Sequence, residues 1–102
     1  MLKRGMPPVH PGEILKEMYL EPINFSITDL AENLGLARRT VSLLVNGHSG
    51  ISAGMALRLS KAFNTTPELW MNMQRNYDLW FAAKEISLDK IRYIKSEKNL
   101  AA

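Results

Sequence analysis

Apolar residues along this chain return every three or four positions and nowhere alternate convincingly, a spacing that predicts helices and no strand. Ile14, Leu15 and Met18 form a first stripe, opened by Pro11 and closed before Pro22. A first-turn proline costs nothing there, because that position has no helical N–H partner. Ser26, a good N-cap, starts a second helix that turns Ile27, Leu30, Ala31 and Leu34 inward. A third short helix runs from about Arg38 to Asn46 and stops at Gly47. Ser52 caps a fourth, with Met55, Ala56, Leu59, Ala62 and Phe63 inward, and Thr66-Pro67-Glu68 opens a fifth with a cap, a first-turn proline and a carboxylate. Short connections between five helices predict a compact all-α bundle.

Residues 26 to 47 carry the most specific spacing. Ala31 is small enough for two helices to approach closely, and Gly35 supplies the backbone freedom of a sharp turn. Val41 and Leu44, three apart, fill the space between the pair. This is the pattern of a helix-turn-helix whose second helix opens on Arg38 and Arg39. At 100° per residue, Val41, Leu44 and Val45 share one side with Ala37 nearby, while Arg39, Ser42, Leu43 and Asn46 share the other. In such motifs the second helix enters the major groove with its N-terminal residues towards base edges. Arg38 and Arg39 are therefore candidates for guanine contacts or for phosphate contacts. Leu43 is apolar on a face that should be wet, and is either a thymine-methyl contact or an isolated exposed leucine. Ser26, Thr28, Asn46, His48 and Ser49 form the phosphate-side set, with a pure N-cap as the alternative for Ser26 and a plain loop residue for His48.

Charge reinforces that picture through its distribution. The net charge is only +3, but no acid lies between Glu32 and Glu68, where Arg38, Arg39, Arg58 and Lys61 all fall. Such a bias attracts phosphates without specifying sequence. At 102 residues with 46% apolar content, the chain can bury the core of one domain. It has no cysteine, which fits the cytoplasm, and no apolar run of membrane-spanning length. Lys3 and Arg4 are followed by Pro7, Pro8, His10 and Glu13 where a secretion signal would be apolar.

In the fifth helix Leu69, Trp70, Met73, Tyr77, Trp80 and Phe81 fall within one arc, a stripe that serves either as core or as a self-association face. A two-fold dimer would set its recognition helices about 34 to 36 Å apart, one duplex turn. Residues 87 to 97 allow a sixth short helix with Leu88, Ile91 and Ile94 inward, or a frayed basic tail. The expected organisation is an N-terminal arm over 1–9, a DNA-binding domain over 10–82 and a C-terminal extension over 83–102. Catalytic chemistry finds no support. His10 and His48 are the only histidines, HExxH is absent, and Gly47 and Gly50 lack the spacing of a phosphate cradle. The expectation is no enzyme, no metal and no cofactor, with His10 structural at a helix start.

HPGEILKE at 10–17, the motif at 26–47, NGHSGIS at 46–52 and ALRLSKAFNTTPELWMNMQRNYDLW at 56–80 resemble HigA-type antitoxins of the Xre group. The resemblance spans roughly residues 8 to 82 and implies a fold like that of lambda-type repressors. It implies a homodimer in the prokaryotic cytoplasm, associated with the nucleoid, that binds a palindromic double-stranded operator. It also implies repression of its own operon and neutralisation of a HigB-like messenger RNA endonuclease. Carried over by position, the groove-reading residues are Arg38, Arg39, Thr40, Ser42 and Leu43, and the phosphate-side residues Ser26, Thr28, Asn46 and His48. The chain departs from the pattern at Ala37, where Ser or Thr usually caps the third helix, and at Leu43, usually polar. The toxin-binding surface expected is the arm with the first helix. Alternatives are a stand-alone Xre-type regulator, or a helical interaction module that has lost DNA binding.

Overall fold

A computed structural model describes residues 6–95. Residues 1–5 of the expected arm and 96–102 of the expected extension lie outside the described residues. Helix α1, Pro11–Ile14, is capped by His10, whose Nδ1 accepts from the Gly12 N–H at 2.9 Å. The chain then widens into a π-helical turn over Leu15–Leu20 and tightens into a 3₁₀ turn over Glu21–Ile23. Asn24, left-handed at φ 57°, ends it. The expected stripe of Ile14, Leu15 and Met18 is corrected here. Leu15 is fully buried and Ile14 half-buried, but Met18 is 65% exposed. In a turn bonded i to i+5, the residues returning to Leu15's face are Tyr19 and Leu20, which pack into the core instead.

Helices α2, Ile27–Leu34, and α3, Arg38–Val45, form the expected pair. Ser26 closes a capping box: its Oγ accepts from the Asp29 N–H at 2.9 Å, and the Asp29 carboxylate accepts from the Ser26 N–H at 3.4 Å. Between the helices Gly35 sits at φ 71°, a left-handed turn any side chain would strain, and the Leu36 N–H closes back on the Ala31 carbonyl at 2.9 Å. Leu30, Ala31, Val41, Leu44 and Val45 are buried across the interface, while Ile27 and Leu34 pack at its rim. As the sequence suggests, Ala37 gives α3 no side-chain cap.

Helix α4, Ala53–Phe63, and helix α5, Pro67–Glu85, complete the bundle, capped by Ser52 Oγ on the Met55 N–H at 3.1 Å and Thr66 Oγ1 on the Leu69 N–H at 3.2 Å. Met55, Ala56 and Leu59 are buried and Phe63 packs beside them. Ala62, expected inward, is exposed; it lines an open groove between α2 and α4 with Asn33, Leu34, Leu57, Arg58 and Lys61. Trp70 sits at the centre, fully buried, with its indole N–H donated to Thr65 Oγ1 at 2.8 Å and Tyr19 tilted against it at 5.1 Å. Burying an aromatic of this size with its polar atom satisfied stabilises by about 3 kcal/mol.

The α5 stripe therefore divides. Trp70 is core and Met73 packs on it, whereas Tyr77 and Trp80 are half-buried and Leu69 and Phe81 exposed. Tyr77, Phe81 and Trp80 form a ladder with centroid distances of 4.7 and 4.9 Å, and Lys84 lies over the Trp80 ring. Beyond α5, residues 86–95 make a single turn closed by the Ile91 N–H on the Leu88 carbonyl, and no sixth helix forms there. Leu88, Ile91 and Ile94 are exposed, and a short amphipathic helix is marginal unless its apolar face is buried.

Candidate nucleic-acid interface

The outer face of α3 stands clear of the bundle. Arg38, Arg39, Thr40 and Asn46 are exposed, and Ser42 and Leu43 are half-buried. Val41, Leu44 and Val45 on the opposite face are anchored in the core, so the polar face rides on a helix that cannot roll. Asn46 Nδ2 donates to Ser42 Oγ at 3.2 Å, one turn apart along that face. Arg38 Nε donates to Thr28 Oγ1 at 2.9 Å, linking the start of α3 to the start of α2. Ser26 lies exposed two residues before Thr28, with its hydroxyl oxygen already acting as the cap.

The loop after α3 is shaped by its own backbone. Gly47 sits at φ 80°, its N–H bonded to the Leu44 carbonyl at 3.0 Å, and the His48 N–H bonds to the Leu43 carbonyl at 2.8 Å. His48 projects into solvent and Ser49 is half-buried, so the structure brings the phosphate-side candidates to both ends of the recognition helix.

Two residues that the motif reading leaves outside the site turn out to support it. His10 caps α1 and meets Tyr77 edge-on at 4.9 Å, and it is hydrogen-bonded to the Ser49 backbone. Burial lowers its pKa below the ordinary 6.5, opposed by the Ser49 hydrogen bond and by the charges of Asp78 and Glu13. With Nδ1 accepting from Gly12, the neutral ring is the form that fits. Gln74, buried on α5, accepts from the Ile51 N–H at 2.7 Å and donates to Asp78 Oδ1 at 2.9 Å, fixing the far end of the same loop. The signal for Gln74 was a lone amide near the aromatic stripe, too common a pattern to single out. Among the described residues no cluster of His, Cys, Asp or Glu could hold a metal, and no helix is long and apolar enough to cross a membrane.

Comparison with known proteins places this geometry. Residues 15–70 match the helix-turn-helix family HTH_3. An HTH-type transcriptional regulator of Haemophilus influenzae is 49% identical over 73 residues, 72% of this chain and 68% of that protein. Antitoxin HigA-1 of Vibrio cholerae is 44% identical over 80 residues, covering 78% of this chain and 75% of its own. The solved structure of antitoxin GraA in complex with its operator superposes with a TM-score of 0.80 at 42% identity, over 94% of this chain and 100% of that one. These relatives are DNA-binding regulators and antitoxins rather than enzymes. The chain belongs to the HTH_3 helix-turn-helix family, as a DNA-binding protein of the HigA antitoxin type.

Proposed function

We propose that this protein is an autorepressing antitoxin: a homodimer that binds a palindromic operator in its own promoter and neutralises a HigB-like toxin. Arg38, Arg39, Thr40, Ser42 and Leu43 read bases in the major groove, and Ser26, Thr28, Asn46, His48 and Ser49 hold phosphates on either side. The DNA-binding domain is residues 10–82, flanked by the arm at 1–9 and the extension at 83–102, and the protein works in the prokaryotic cytoplasm at the nucleoid. The observation that carries this reading is the exposed, arginine-led face of α3 on a core-locked helix. Support for the dimer comes from Leu79, Ile86 and Leu88, apolar and exposed on the last turns of α5 and just beyond it.

Charge reversal tests the DNA half. Arg38→Glu with Arg39→Glu is expected to abolish specific binding to the promoter fragment while leaving the melting curve unchanged, measured by fluorescence anisotropy. For the wild type, log affinity falls steeply with log salt as displaced phosphate counterions are released; a flat response would remove the groove-docked reading. A second reading, a regulator without a toxin, is favoured by the 49%-identical Haemophilus relative, which is described only as a transcriptional regulator. Native mass spectrometry of the protein purified from its host separates the two. A stoichiometric small basic partner supports the antitoxin, and a bare homodimer supports the regulator.

A further inference from the structure

Among the described residues, the Arg38 Nε to Thr28 Oγ1 bond, 2.9 Å long, is the one side-chain to side-chain hydrogen bond crossing between the two motif helices. Both residues are exposed, so the bond satisfies no buried group and adds little to folding. Its consequence is orientation. An arginine on a protein surface samples many rotamers, and every one must be given up when its guanidinium forks onto a base. Thr28 takes the Nε–H and leaves the two terminal amines, the end-on fork that matches guanine O6 and N7. The Arg38 stem leaves α3 at its first residue, where Ala37 offers no capping side chain to steady the turn. Thr28, by contrast, sits in the first turn of α2 beside the intact Ser26–Asp29 capping box. Arg39, its neighbour, has no such tether among the described residues.

We infer that Thr28 is a specificity-determining positioning residue, which holds Arg38 by Nε so that its end-on fork reads a guanine. Resting on the proposed base-reading role of Arg38, this adds a second task for Thr28 besides phosphate contact. The two are compatible, because the hydroxyl that accepts from Arg38 keeps its own proton to donate to a phosphate oxygen. Thr28 thus sets which base is preferred without touching it.

Selection from a pool of synthetic duplexes randomised over about two helical turns tests this, with enrichment read by sequencing for the full-length wild type, Arg38→Ala, Thr28→Val and Thr28→Ser. Arg38→Ala should erase a guanine preference at one position of each half-site. Thr28→Val should weaken that same preference about three- to tenfold, the loss of one pre-ordered long side chain, and Thr28→Ser should keep it. In the Arg38→Ala background, Thr28→Val should change base preference no further. If Thr28→Val leaves the Arg38-dependent guanine at wild-type strength, or weakens all positions equally, the positioning role is overturned and base reading by Arg38 stands. If Arg38→Ala alters no base preference, the reading role falls and the inference with it. Thr28→Ala replaces Thr28→Val, with the same outcomes, should valine disturb the first turn of α2 in circular dichroism.

Discussion

His10 joins three parts of the fold through one ring: the α1 start through Gly12, the loop after α3 through Ser49, and α5 through Tyr77. Because burial depresses its pKa, the folded protein binds fewer protons here than the unfolded chain does as pH falls. The stability this group contributes is complete above its ordinary value of 6.5 and is lost as pH drops towards the depressed folded value. Urea unfolding of the wild type and His10→Asn should therefore converge as pH is lowered from about 7 to 5. Asparagine keeps an oxygen to cap Gly12 but has no proton to gain. A constant difference between the two across that range would show that the ring does not titrate as described. At this scale the sequence is legible where chemistry is local. Ser26, Ser52 and Thr66 announce their caps within three residues of the amides they meet. Gln74 does not, because its partner, the Ile51 amide, lies 23 positions away.

Between elements, α1 lies so close to α3 that a Cβ on Gly12 would overlap the Leu44 carbonyl. Gly12→Ala forces the two helices apart and should cost at least about 2 kcal/mol, the scale of an overpacked core. Thermal denaturation would register the loss, and because Leu44 is part of the recognition helix, operator affinity should fall in the same variant. A stable Gly12→Ala protein would mean that α1 can slide away from α3 freely. The glycine of HPGEILKE is visible in the sequence, but this duty is not, since nothing local tells that a carbonyl from α3 arrives there. The same holds for Met18 and Ala62. A 3.6-residue period turns both inward, whereas the π-helical turn rotates Met18 outward and the open side of α4 leaves Ala62 in solvent. The helix-turn-helix itself was fully legible because Ala31, Gly35, Val41 and Leu44 each answer a constraint internal to a short stretch.

Over the whole molecule, the longest dimension is 54 Å against 28 and 24 Å for the others, and Leu79, Ile86 and Leu88, on the last turns of α5 and just beyond it, are apolar and exposed. Taken as the self-association face of the proposed dimer, this surface makes a direct prediction. Leu79→Asp with Leu88→Asp should convert the dimer to monomer in sedimentation velocity with circular dichroism unchanged, since both residues are exposed. Operator affinity should then drop sharply, because each half-site would be bound alone. A double variant that stays dimeric would move the interface elsewhere. The stripe of Leu69, Trp70, Met73, Tyr77, Trp80 and Phe81 is ambiguous in the sequence for a physical reason: an aromatic stripe looks the same whether its partner is the chain's own core or another chain, and Leu79 and Ile86 lie outside it.

Helix α5 has 19 residues, a rod of about 28 Å, seated in the core by Trp70 and emerging from it past Tyr77. If two copies meet along its outer stretch, that rod acts as a ruler. Each residue inserted after Tyr77 would displace the mating surface by about 1.5 Å and swing it by about 100°. The distance and phase between two recognition helices, and hence the number of base pairs separating half-sites, would then be written in the length of a helix that touches no DNA.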